Sequence, residues 1–180
     1  MPGYYILLLL CAKIALMGRI NREYLRSVIF GIEDSLVSTT GLIAGLSIGA
    51  EDKKIVLLGG IVAIAVESIS MGAGEYLSDD AVEELDKLKR HRQNPLTSGL
   101  LMFISYLSAG LIPLLPIALL IYPTSLWFSV IFALTGLFLL GFLKGRLLQT
   151  SSLRGGLKIL IVGGLATLLG VVVGSLFKIT

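Results

Sequence analysis

Residues 28–78 read VIFGIEDSLVSTTGLIAGLSIGAEDKKIVLLGGIVAIAVESISMGAGEYLS, and this stretch decides the fold. Two apolar runs, 28–50 and 55–78, flank a polar turn of Glu51, Asp52, Lys53 and Lys54. Each run is long enough to cross a bilayer, which takes about 20 apolar residues. Each also carries acids: Glu33 and Asp34 in the first, Glu67 and Glu75 in the second. An ionised group at the bilayer centre costs roughly 2.5–3.5 kcal/mol even on the insertion scale, so acids held inside spans point to a functional site.

The rest of the chain agrees with a membrane setting. Its 180 residues leave room for one domain, and they are 55% hydrophobic and only 15% charged. With a mean hydropathy of +0.90, this composition indicates an all-α, multi-span membrane protein. The isoelectric point near 9.1 does not imply a nucleic-acid partner, because the bases sit beside apolar spans, where they set topology. A lone cysteine, Cys11, excludes an internal disulfide and a cysteine-built metal cluster. A lone histidine, His91, argues against a histidine-rich metal site.

Working outward, residues 1–25 form an apolar and interfacial N-terminal segment. Within it, 1–18 are interrupted by Lys13, which places them at the interface or against the bundle rather than across the bilayer. Met17 is a second candidate start, and 4–17 lack the basic leader of a signal peptide. Residues 19–27 read as a short interfacial helix leading into the first span. The first two spans occupy 26–78, a charged connection 79–95, and three further spans 96–180. The charged connection reads as a helix continuing past the membrane until Pro95 stops it. The later spans are expected at 96–122, with a kink at Pro113 and Pro116, at 126–143, and at 157–177.

The basic residues test this count. With the N-terminus in the cytoplasm, one side holds Lys13, Arg19, Arg22, Arg26, Lys87, Lys89, Arg90, Arg92, Lys144, Arg146, Arg154 and Lys158. The other holds Lys53, Lys54 and Lys178. That division, 12 against 3 of the 15 Lys and Arg, predicts a cytoplasmic N-terminus and an outside or lumenal C-terminus. In a prokaryotic source the membrane is then the plasma membrane. Five spans exclude a simple inverted duplication, so a closed pathway calls for a second copy of the chain. Small residues at Gly41 and Gly45, and at Ala166, Gly170 and Gly174, predict close helix seams, either within one chain or between two.

Helical spacing sets Glu67, Met71, Glu75 and Asp79 along one slowly drifting face. Asp34 and Ser38 share a face with Gly41 and Gly45. Asp34 and Met71 each lie six residues in from the same membrane edge, so both sit about 9 Å deep, while Glu67 sits about 15 Å deep near mid-membrane. A carboxylate with a thioether at one level suits a borderline transition metal such as ferrous iron better than calcium or magnesium. The competing readings are plain ones: Met71 as a packing residue, Glu67 as a protonated acid bonded to a carbonyl, and Glu75 snorkelling to water. An intramembrane enzyme is a poor reading, because no histidine lies within a span to act as base.

EDSLVST (33–39) and SMGAGEYLS (70–78) resemble the paired motifs of the vacuolar iron transporter family, roughly NDGLVST and SMAAGEYVS. The resemblance continues through LIPLLP (111–116), FLLGFLKGRL (138–147) and SSLRGGLKILIVGGLA (151–166). It implies a five-span homodimer with the ion path at the two-fold axis, exchanging ferrous iron or manganese for protons. By the resemblance Asp34 and Met71 fall on the family's pathway residues and Glu75 on the acid of its GEY motif; Glu67, an acid at mid-membrane depth, adds to them, so the candidate metal residues are Asp34, Met71, Glu67 and Glu75, with Glu67 and Asp34 coupling protons. The partners are then a second copy, lipid, protons and the transported divalent metal, with no permanently bound cofactor. The chain departs from the pattern at Glu33, Ser35 and Glu67, and it lacks the long glutamate-rich cytoplasmic domain of plant-type members. The alternative function is a non-transporting membrane assembly protein that uses the glycine seams.

Overall fold

The computed structural model describes residues 22–85, 94–147 and 149–178. It is all-α, with five helices long and apolar enough to cross a membrane: α1 (Arg22–Gly49), α2 (Lys53–Leu85), α3 (Pro95–Leu119), α4 (Thr124–Leu147) and α5 (Ser152–Leu176). The expectations for residues 1–18 and for most of the basic half of the charged connection (86–93) lie outside the described residues.

Some boundaries differ from the sequence reading in physically interpretable ways, whereas the run of α2 past Ser78 agrees with it. From Arg22 onward there is no separate interfacial helix, because no glycine or proline interrupts 22–30 and the ladder runs unbroken into the span. The Ser27 hydroxyl folds back onto the Glu23 carbonyl, 3.1 Å away. Helix α2 passes through Ser78 without a break and reaches Leu85, a 33-residue helix. At about 1.5 Å per residue that is ~50 Å, far longer than the hydrocarbon core, so its charged final turns extend beyond the apolar span. Its start is capped by Asp52, whose Oδ1 accepts from the Lys54 and Ile55 amides at 2.6 and 3.2 Å.

Pro95 opens a helix. It occupies the first turn of α3, and the Asn94 side chain caps that turn by accepting from the Leu96 amide at 3.0 Å. Helix α3 ends at Leu119 rather than 122. There Lys53 Nζ donates to the carbonyls of Ala118 (3.0 Å) and Leu120 (2.9 Å), satisfying groups that have no partner in a helix end. The Tyr122 hydroxyl donates to the Ser47 carbonyl at 2.5 Å and ties this loop to α1. Helix α4 carries Lys144 and Arg146 in its last turn, where cations suit the dipole. Opposite them, Lys178 meets Glu51 at 2.6 Å, and that carboxylate holds the Lys178 ammonium above its ordinary value.

Helices α1 and α3 are the most enclosed. Ile43 of α1 packs with Val56 and Ile64 of α2 and with Leu114 and Ile117 of α3. Leu36 of α1 packs with Ala109, Leu137 and Ile159 from α3, α4 and α5. Lipid supplies no hydrophobic drive between helices, so close approach depends on small residues. Gly41, Gly45 and Gly49 lie against Ala166, Gly170 and Gly174 of α5, so this seam runs inside the chain. Helices α2 and α3 meet at Gly72 and Gly99, and α4 and α5 at Gly141 and Gly155.

A methyl added at Gly170 would strike the Gly41 carbonyl, which is backbone and cannot swing away, whereas one added at Gly74 meets nothing within 4 Å. Gly170→Ala is expected to destabilise the protein by about 1–3 kcal/mol. Gly74→Ala is expected to leave it unchanged or stabilise it by up to about 1 kcal/mol. Thermal unfolding in detergent compares the two.

Candidate functional site

Helices α1 and α2 are consecutive, yet α2 leans mainly on α3. What joins α1 to α2 at the site is polar. Near the basic end, Ser27 Oγ donates to Glu75 Oε1 at 2.5 Å, and Arg26 Nη2 lies 3.5 Å from the same oxygen. Eight residues deeper on α2, Ser38 Oγ donates to Glu67 Oε2 at 3.2 Å. These two rungs set the register. Asp34 falls between Ser27 and Ser38 on α1, Met71 falls midway between Glu67 and Glu75 on α2, and both are half-buried.

Tyr106 completes the deeper rung from α3. Its hydroxyl lies 2.6 Å from Ser38 Oγ and donates to Glu67 Oε2. The Tyr106 carbonyl accepts from Ser35 Oγ at 2.7 Å. Gly110 makes that contact possible, because a Cβ there would stand 2.9 Å from Ser35 Oγ. One carboxylate is thus held by side chains of two other helices.

Two openings approach this level from opposite ends. A cavity of about 480 Å³ at the basic end is lined by Arg26, Phe30, Glu33, Glu75 and Lys144. A groove of about 550 Å³ is lined by Ser38, Glu67, the α1–α5 glycine seam and Phe177. Among the described residues no three of His, Cys, Asp and Glu gather closely enough to hold a metal ion.

Several site residues have partners that spacing alone did not reveal. Glu75 does not simply snorkel: its side chain is 12% exposed and held by Ser27 and Arg26. Glu33 pairs with Lys144 of α4 at 3.6 Å. Asp79 does not continue the Glu67–Met71–Glu75 face. A four-residue step drifts by roughly 40°, so three such steps rotate the position by about 120°. Asp79 joins the buried stripe of α2 that includes Gly72, at 6% exposure. Tyr106 was missed entirely. The only signal was that a tyrosine buried in an apolar span needs a partner for its hydroxyl.

The profile of the VIT family matches residues 25–93 and 79–175. The chain belongs to this family. Vacuolar iron transporter 1 of Arabidopsis thaliana is 26% identical, over 81% of this chain and 82% of that protein. VIT-like transporter 1b of Glycine max is 26% identical, over 80% of this chain and 72% of its own length. Vacuolar iron transporter homolog 2 of Oryza sativa subsp. japonica is 26% identical, over 86% and 91%. The matched region of this VIT family chain contains Ser27, Asp34, Ser38, Glu67, Met71, Glu75 and Tyr106.

The two acids of the basic-end cavity are expected to differ in weight. Glu75→Ala removes a shielded, charge-assisted hydrogen bond and is expected to cost about 1.5–3 kcal/mol. Glu33→Ala breaks a pair whose side chains are 26% and 40% exposed and is expected to cost under about 1 kcal/mol. Melting of the purified variants in detergent reads both.

Proposed function

We propose that this VIT family chain is a secondary transporter that moves ferrous iron or manganese out of the cytoplasm in exchange for protons. It works as a homodimer with the ion path at the two-fold axis. Family membership and the names of the relatives support metal transport. The observation that carries the reading is that Asp34 and Met71 stand on α1 and α2 between the levels of a cavity lined by Glu33 and Glu75 and a groove lined by Ser38 and Glu67.

In this reading Asp34 supplies a hard carboxylate and Met71 a soft thioether, a combination that suits a borderline metal such as ferrous iron over calcium or magnesium. A second copy supplies the matching Asp34 and Met71, and together the two pairs offset the loss of the ion's hydration shell. Glu67 acts deeper in the path as a proton carrier or further ligand. Glu75, with Arg26 and Ser27, lines the cytoplasmic entrance. The orientation follows from charge: Arg26, Lys144, Arg146, Arg154 and Lys158 gather at one end of the bundle. An assembly protein using the glycine seam is disfavoured, because Gly41 and Gly45 are already covered by α5 of the same chain.

Proteoliposomes with an imposed pH gradient test the proposal. Flux of ferrous iron or manganese should require the gradient and fall by more than about tenfold in Asp34→Ala, since losing even a partner behind a ligand costs about that much. Met71→Leu keeps the volume and removes the sulfur, and it should lower flux while leaving the melting temperature near wild type. Flux that persists in Asp34→Ala would refute the assignment.

A further inference from the structure

We infer that Tyr106 is the positioning residue of the Glu67 carboxylate, which makes α3 a working wall of the ion path. The inference rests on the transport reading above and deepens it. Tyr106 stands near the middle of α3 and is 1% exposed, the largest fully buried side chain among the described residues. Its backbone is fixed to α1 through Ser35, and its ring carries the hydroxyl to the point where α1 and α2 exchange their deeper hydrogen bond.

The geometry separates anchoring from binding. Both donors, Ser38 Oγ and Tyr106 Oη, end on Glu67 Oε2. Oε1 has no hydrogen-bond partner among the described residues, and Glu67 lines the groove. A carboxylate held through one oxygen has its second oxygen fixed in direction, which is how partners behind a ligand raise its affinity for a cation. Ser38 cannot do this alone, because its hydroxyl has a single proton to share between Glu67 and other acceptors. Packing does not explain the hydroxyl, since phenylalanine fills the same volume, and a buried phenol without a partner is costly.

The test is manganese(II) binding to the detergent-solubilised full chain by titration calorimetry, with flux in proteoliposomes beside it. Tyr106→Phe is expected to raise the dissociation constant and the transport KM about tenfold while maximal flux stays within about twofold. In a Glu67→Gln background the same substitution is expected to change nothing further. An unchanged dissociation constant in Tyr106→Phe, beside a wild type that binds, overturns the role of Tyr106 and leaves the transport reading standing. An equal loss in the Glu67→Gln background also overturns it, because the effect would not pass through Glu67. Absence of binding by the wild type overturns the transport reading, and the role of Tyr106 with it.

Discussion

The close approach of α1 and α5 is the constraint on which the bundle depends. Gly41, Gly45 and Gly49 meet Ala166, Gly170 and Gly174 with carbonyls where side chains would otherwise stand. In lipid this contact replaces a hydrophobic drive with dispersion between backbones. It fixes the rotation of α1 and so decides what its other faces meet. Ser35 then faces Tyr106, Ser38 faces Glu67, and Ile43 closes a core with α2 and α3. A larger residue in the seam would turn or tilt α1 and move all three contacts together.

Satisfaction of polar groups shapes the interior. Water is absent from the hydrocarbon region, so each acid in a span has to find a partner or belong to a path. The acids divide on this basis. Glu75 and Glu33 are met by Arg26 and Lys144 at the basic end, and Glu67 by two hydroxyls. Among the described residues Asp34 has no such ion pair, and it sits between the two rungs that define the α1–α2 register. The departure at Ser35 has a structural meaning as well: its hydroxyl secures the carbonyl of the residue that reaches Glu67, and Gly110 clears the space it needs.

The two ends of the bundle are built differently. At the Glu51 end, Lys53 caps α3, Tyr122 ties the α3–α4 loop to α1, and Lys178 clasps Glu51. These contacts close the α1–α2 turn against its neighbours. At the basic end, α1 and α2 are held by Ser27, Arg26 and Glu75, and the cavity there has acids and bases in alternation. The Glu51 end is thus closed by caps and one ion pair, while at the basic end two ion pairs border an open cavity.

The sequence by itself determined the membrane class, the five spans, the small-residue stripes and the acids of the first two helices. Those properties follow from local composition and from the 3.6-residue period, which need no knowledge of neighbours. It also placed Asp34 and Met71 at similar depth, because depth depends only on rise per residue. It did not reveal whether the glycine stripes join helices of one chain, nor which acids are paired. Those were decided by tertiary structure, since each depends on which helix faces meet. Ser27 and Glu75 are 48 residues apart, Glu67 and Tyr106 39, and no periodicity in either segment encodes the other. The continuation of α2 past Ser78 and the α3 start at Pro95 were legible as breaks or their absence. Tyr106 was not, because an aromatic in an apolar span looks the same from sequence whether it packs against lipid or holds a carboxylate.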